Sequence, residues 1–149
     1  MTARTRTATY DSELTEALRE RGQRVTSQRL ILHRTLRELH RHTTAEELLR
    51  VAGRRLPGMS LPTVYATLEL FEELGVARRV EAGGGAVLWD PRAEEHQHFS
   101  CRACGRVTDL DATVRAAGAM EAARAAGHSP DRAELVVVGL CADCSAAER

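Results

Sequence analysis

Every cysteine in this chain falls in one of two CxxC pairs, Cys101-Arg102-Ala103-Cys104 and Cys141-Ala142-Asp143-Cys144. Two intervening residues let a tight turn bring both thiolates onto one ion, and two such turns complete the four-sulfur tetrahedron that zinc accepts. Any fold open to this chain must therefore bring two turns, about forty residues apart in sequence, to a single point. The competing reading is a pair of disulfides or buried thiols. Nothing at the N-terminus resembles a secretory signal, and a reducing cytosol disfavours structural disulfides, so the spacing is read as a zinc site. A thiol redox switch on the same four cysteines is the other alternative, because oxidation would eject the metal.

A second group of ligands lies in the same region. His96 and His98 are two apart and so face the same side of an extended segment. Two histidines and four cysteines are too many ligands for one zinc. The surplus imidazoles have two carboxylates as candidate partners, Asp90 just before them and Asp109 just after the first CxxC turn. Mixed nitrogen and oxygen ligands suit iron(II), manganese(II) or zinc. Spacing alone leaves open a polar loop or an extension of the zinc site.

Composition sets the frame. At 149 residues and 43% hydrophobic content the chain forms one ordinary domain or two small ones. Two small domains are each marginal without a staple such as zinc. The 21 acidic and 21 basic side chains cancel, so net charge argues neither for nor against nucleic acid. The longest apolar run, Leu135 to Ala142, is far short of the roughly 20 residues a membrane span needs, so a soluble, cytoplasmic protein is expected. Neither HxE paired with PCxxC nor HExxH occurs, so no glutamate stands beside a metal as general base and no enzyme is expected. A zinc-ribbon module that binds protein rather than DNA is a further alternative.

Along the chain, Met1 to Thr9 reads as a loose arm, either solvated or touching DNA phosphates. Asp11 to Arg21 reads as a short amphipathic helix with Leu14, Ala17 and Leu18 on one face, stopped by Gly22. A second helix opens at Thr26 or Ser27 with Leu30, Ile31 and Leu36 on its buried stripe, leaving His33 and His40 on the helix surface. Thr43 or Thr44, each three residues before a glutamate, caps a third helix running to about Arg54. A fourth starts at Ser60 with Pro62 in its first turn and buries Leu61, Val64, Leu68, Phe71 and Leu74, leaving Thr63, Tyr65 and Ala66 exposed where a recognition helix meets base edges. Two strands follow, Ala77 to Ala82 and Ala86 to Asp90, joined at Gly83-Gly84-Gly85.

Helices followed by a hairpin wing make a winged helix-turn-helix, and a generic helical bundle fits the same helix patterns. Beyond Asp90 come short strands at Phe99 to Cys101, Arg106 to Leu110 and Glu134 to Leu140, with an alanine-rich helix from about Thr113 to Ala126 closed by Gly127. The fold class is therefore α+β: a winged helix-turn-helix domain over residues 1–90 with a flexible N-terminal arm, then a small α/β domain over residues 91–149.

The order of motifs resembles the ferric uptake regulator (Fur) family from about Leu14 to Cys144. Six segments carry it: Arg24-Val25-Thr26-Ser27-Gln28-Arg29, His42-Thr43-Thr44-Ala45-Glu46-Glu47, Ser60-Leu61-Pro62-Thr63-Val64-Tyr65-Ala66-Thr67-Leu68, His96-Gln97-His98, Cys101-Arg102-Ala103-Cys104-Gly105 and Cys141-Ala142-Asp143-Cys144. The resemblance implies a homodimeric repressor that binds a pseudo-palindrome in double-stranded DNA. It also implies a structural Zn2+ held by Cys101, Cys104, Cys141 and Cys144, and a regulatory Fe2+ or Mn2+ at the hinge held by His42, Asp90, His96, His98 and Asp109. Candidate DNA contacts are Ser60, Thr63, Tyr65, Arg24 and Arg29.

Asp109, where iron-sensing relatives often have glutamate, makes the set most similar to the peroxide-responsive (PerR-like) branch. There iron(II) reacts with hydrogen peroxide and a ligand histidine is oxidised, by resemblance His42 or His96. An iron- or zinc-uptake regulator using the same site is the alternative. Two features depart from the family pattern. Ala66 stands where many members carry a basic or polar side chain, and Asp131-Arg132-Ala133-Glu134 lacks the histidine that supplies an additional metal site in many members.

Overall fold

The computed structural model describes residues 3–81, 87–92, 94, 96–113 and 115–147. Its internal contacts divide the chain into two units, Met1–Glu81 with Gly85–Ala93, and Ala82–Gly84 with Glu94–Arg149. Among the described residues no helix is long and apolar enough to cross a membrane.

The first unit runs α1 (Ala3–Glu20), α2 (Ser27–Leu39), α3 (Ala45–Ala52), α4 (Leu61–Glu73), β1 (Arg78–Glu81) and β2 (Val87–Asp90). Three helices begin on a hydroxyl that accepts an otherwise orphaned N–H. Thr26 accepts from Arg29 at 3.3 Å, Thr44 from Glu47 at 3.1 Å and Ser60 from Thr63 at 3.4 Å. Each such cap stabilises its helix by about 1 kcal/mol. The apolar faces meet in one core in which Leu14, Leu18, Leu32, Leu36, Leu48, Val64, Leu68 and Phe71 are wholly buried and Trp89 is 1% exposed. β1 and β2 pair antiparallel from Arg78↔Asp90 to Glu81↔Val87, making the wing. The Gly83-Gly84-Gly85 tip lies outside the described residues.

Three expectations need correction here. The segment read as a loose arm is helical from Ala3, because Ala and Arg are strong helix formers and α1 is already nucleated at Leu14 and Leu18. Tyr10 gives that extension a partner, packing edge-on toward His33 and under the Arg37 guanidinium at 4.8 Å, while Arg34 pairs with Asp11. His33 is wholly buried, not on the surface, with its ring 5.5 Å from Phe71. The buried stripe of α2 is Leu32, His33, Thr35 and Leu36, whereas Leu30 is only partly buried. The helix is rotated because α1 lies against His33, a neighbour that periodicity alone does not reveal.

The second unit contains β3 (Gln97–Cys101), β4 (Val107–Leu110), α5 (Ala117–Ala125), β5 (Val136–Gly139) and α6 (Ala142–Ala147). The sheet order is β4-β3-β5, with β3 antiparallel to β4 and parallel to β5. Gly139 sits close under the Phe99 ring, since a Cβ there would stand 3.3 Å from it and the ring would have to give by a few tenths of an ångström. α5 starts four residues later than the pattern indicates, behind Ala116, which offers no capping side chain. α6 was not foreseen: the second CxxC opens a helical turn in which the Ser145 N–H donates to the Cys141 carbonyl at 2.8 Å. The apolar core of this unit is thin. Cys101 and Val107 are its buried hydrophobic residues among those described, α5 buries none, and Val136, Val137 and Val138 are 39%, 41% and 60% exposed.

Candidate metal centres and nucleic-acid interface

β3 delivers Cys101 into a knuckle. The Cys101 N–H donates to the Arg106 carbonyl and the Gly105 N–H to the Cys101 carbonyl, both at 2.9 Å. Closing this turn puts Gly105 at φ +72°, a conformation that favours glycine. The end of β5 brings Cys141 alongside, its N–H donating to Cys101 Sγ at 3.3 Å, and α6 supplies Cys144. The four sulfurs lie within 4.8 Å of one another, and Cys104 Sγ stands 3.8 Å from Cys141 Sγ. A tetrahedron with zinc–sulfur bonds of about 2.3 Å has edges of about 3.8 Å. A disulfide would need about 2.05 Å, and all four thiols are free.

Electrostatics in the cluster favour a cation. Backbone N–H groups of Cys104 and Cys141 aimed at the sulfur lower the Cys101 thiol to about 6. Cys144 is pushed up to about 12 by its hydrogen bonds to the sulfurs of Cys141 and Cys104. The protein thus favours the thiolate at Cys101 and the thiol at Cys144, and a divalent ion bound to all four sulfurs would favour the thiolate at both. The donor set fits a structural zinc.

The candidate nitrogen and oxygen ligands form one group in each unit. In the first unit, Thr43 and Trp89 make an isolated antiparallel bridge, with N–H to carbonyl distances of 3.1 and 2.8 Å. This bridge sets the neighbouring residues opposite one another, and His42 Nε2 lies 3.4 Å from Asp90 Oδ2 with both side chains almost fully buried. Thr43 Oγ1 also donates to Glu47 at 2.9 Å, and Arg41 donates to the same carboxylate at 2.5 and 3.2 Å, so both residues flanking the imidazole are fixed.

In the second unit, β-register places His98 directly opposite Asp109, with His96 two residues away on the same face. The His96 and His98 rings are 4.5 Å apart, and His96 Nε2 is 3.4 Å from Asp109 Oδ1. His96 Nδ1 contacts the Glu94 carbonyl at 2.7 Å. A carbonyl only accepts, so Nδ1 carries a proton, and Nε2 is the ring nitrogen turned toward Asp109. Ligands about 2.1 Å from a shared ion at tetrahedral angles stand about 3.4 Å apart, matching both observed pairs. The residues fit a divalent cation.

Of the candidate DNA contacts, Ser60 and Thr63 stand exposed at the start of α4, their hydroxyls 2.8 Å apart. Arg24 is exposed. Arg29 is already engaged, its guanidinium donating to the Arg24 carbonyl at 2.6 Å and bracing the loop before α2. Tyr65 is half-buried, and its hydroxyl donates to Glu46 Oε1 at 3.0 Å. The pairing of Glu46 with Tyr65 is not visible in the sequence. The capping motif that locates it at the start of α3 carries no sign of its partner on α4.

A helical unit with a two-stranded wing, followed by a small sheet unit with a four-thiol cluster and buried histidine–aspartate pairs, defines a metal-binding winged-helix protein. The chain belongs to the ferric uptake regulator family, whose sequence model matches residues 20–137. It is 32% identical over 125 residues to ferric uptake regulation protein 1 of Mycolicibacterium fortuitum, covering 83% of this chain and 77% of that one. It is 29% identical over 136 residues to the peroxide operon regulator of Bacillus subtilis, covering 91% and 94%.

Among solved structures, the Helicobacter pylori ferric uptake regulator superposes with TM-score 0.73 at 17% identity, covering 93% of each chain. A zinc uptake regulator complexed with zinc and DNA gives TM-score 0.71 at 24% identity, covering 99% of each, and both likenesses bear on the fold. The family's members are metal-dependent transcriptional regulators, not enzymes.

Proposed function

We propose that this chain is a DNA-binding transcriptional repressor that senses peroxide through one regulatory iron(II) or manganese(II) ion shared by His42, Asp90, His96, His98 and Asp109. The observation that carries the reading is the division of these ligands into two incomplete sets. His42 and Asp90 offer two donors, and His96, His98 and Asp109 offer three, each set with a 3.4 Å nitrogen–oxygen pair. His96, His98 and Asp109 have the two-histidine, one-carboxylate composition that holds iron(II) with positions left open, and His42 and Asp90 supply donors for those positions.

A shared ion ties residues 1–90, the proposed DNA-binding domain, to residues 91–149, the proposed dimerisation domain. A two-fold dimer reads a pseudo-palindrome only when its recognition helices match the groove spacing, so the ligands act by selecting the posture of the dimer. The exposed valines of β5 supply apolar surface for a homodimer, and Cys101, Cys104, Cys141 and Cys144 hold a structural zinc that compensates for a thin core. Ser60, Thr63, Tyr65, Arg24 and Arg29 are the proposed DNA contacts, with Arg29 acting through the loop it braces.

Bound iron(II) would supply the electron that reduces hydrogen peroxide to a short-lived oxidant. The imidazoles of His42 and His96 are the proposed targets, held in place by the Thr43–Trp89 bridge and by the Glu94 carbonyl. Similarity to the Bacillus subtilis regulator supports this branch. A second reading, an iron- or zinc-uptake regulator using the same ligands, is supported by the likeness to the Mycolicibacterium fortuitum protein.

Mass spectrometry after peroxide treatment of iron-loaded protein separates the two readings. A gain of one oxygen atom on His42 or His96 is expected, and unmodified histidines in protein that still binds DNA would leave the uptake reading. His96→Ala is expected to abolish metal-dependent DNA binding with zinc content intact, and unchanged binding would refute the shared ion.

A further inference from the structure

The candidate recognition tyrosine carries its own acidic partner. Tyr65 lies in the second turn of α4, half-buried against the core, with its hydroxyl donating to Glu46 Oε1 at 3.0 Å. Glu46 is exposed at the second position of α3, directly after the Thr44 cap and Ala45. A carboxylate there is favoured by the N–H groups and dipole of the helix start. Glu46 is held below the ordinary carboxylate range, first by its own backbone N–H and then by the Tyr65 hydroxyl. The neighbouring Glu47 is occupied by Arg41 and Thr43. Two adjacent glutamates of one capping motif therefore do different jobs, one bracing the segment that carries His42 and the other facing α4.

A phenol has one proton to donate and lone pairs to accept with. With its proton committed to a carboxylate, Tyr65 presents an acceptor to anything approaching from solvent. Phosphate oxygens, thymine O4 and guanine O6 are themselves acceptors, whereas adenine N6 and cytosine N4 are donors. The carboxylate also places a negative charge beside the recognition helix, which opposes close approach of phosphates in a wrong register.

We propose that Glu46 is a specificity-determining residue for DNA: by accepting the hydrogen bond of the Tyr65 hydroxyl it leaves that oxygen as an acceptor for a base amino group and sets an electrostatic cost on non-specific backbone contact. This rests on the DNA-binding reading given above and adds to it which chemistry the tyrosine reads and which residue sets it.

The test is selection from a randomised duplex library by manganese-loaded wild-type protein and by Glu46→Gln, Glu46→Ala and Tyr65→Phe. Affinity for the selected duplex is then measured against random duplex at one salt concentration. The wild type is expected to select a two-fold motif. Glu46→Ala is expected to lose base preference at the position in each half-site that Tyr65→Phe also loses, whereas Glu46→Gln, whose amide oxygen still accepts from the tyrosine, keeps more of it. In Glu46→Ala the ratio of selected to random affinity falls roughly fivefold, the size of one hydrogen bond. Glu46→Gln, which keeps the shape but drops the charge, is expected to bind random duplex more tightly than wild type.

A merely structural role for Glu46 would lower both affinities together and leave the base preferences intact, and that result overturns the proposal. Unchanged preferences and ratio in both Glu46 variants also overturn it while leaving DNA binding standing. A wild type that selects no motif overturns the DNA-binding reading and this inference with it.

Discussion

Acidification from pH 7 to pH 5 is expected to cost the first unit about 2 kcal/mol through His33 alone. The ring is wholly buried between Tyr10 and Phe71, and its titration is lowered from 6.5 to about 4, first by burial and then by the positive charge of Arg37. Between these two values the unfolded chain binds a proton that the folded chain refuses, so stability rises with pH across the window and falls as pH drops from 6.5 toward 4. At about 1.4 kcal/mol per pH unit the full effect is about 3 kcal/mol, of which about two-thirds is spent by pH 5.

The assay is urea unfolding at both pH values, without added iron or manganese, followed by the fluorescence of Trp89. Trp89 is the single tryptophan of the chain and is 1% exposed in the same core. Comparison with His33→Leu cancels the carboxylates that titrate in the same range. The wild type should lose about 2 kcal/mol more than the variant between pH 7 and pH 5. Equal losses in the two proteins would refute the assignment of this acid sensitivity to His33.

Cys101→Ser is expected to abolish bound zinc and, with it, protease resistance of residues 96–147. A variant that stays protease-resistant and zinc-loaded by elemental analysis would remove the structural role given to that thiolate. Leu68→Ala, at a wholly buried position of α4, is expected to cost 2–5 kcal/mol in the same urea titration, and a loss under about 1 kcal/mol would show that the site collapses around the gap. Gly139→Val is expected to force the Phe99 ring off the sheet, given the 3.3 Å already available to a Cβ, and unchanged amide exchange along β3 and β5 would contradict that packing.

Where side-chain chemistry has a local cause, the sequence was sufficient. Thr26, Thr44 and Ser60 are legible as caps because the hydroxyl and the N–H it serves are three residues apart. The Cys101–Cys104 knuckle is legible because the CxxC spacing and Gly105 encode the turn. The pairing of His98 with Asp109 needed a register that the alternation of residues only outlines, and the structure supplies it. What sequence did not reveal depends on packing between distant elements. His33 faces α1 because Tyr10 covers it, and Tyr65 meets Glu46 because α3 and α4 pack together, contacts that neither helix announces by its own periodicity.

The unequal cores of the two units bear on where the proposed metal sites fall. The first unit buries eight large apolar side chains completely along with Trp89, each contributing about 1.5–3 kcal/mol, and is equipped to fold on hydrophobic burial. The second has Cys101 and Val107 as its buried hydrophobic residues among those described, and it devotes its most protected positions to His96, Gln97, His98, Ser100 and Cys101. Polar groups are costly to bury unless something compensates them, and here Gln97 accepts from the Leu135 N–H at 3.0 Å and His96 Nδ1 meets the Glu94 carbonyl at 2.7 Å. On the function proposed above, coordination of His96, His98 and Asp109 would order a strand that is short of apolar contacts, so the conformation of β3 would respond to metal as that of a well-packed strand would not.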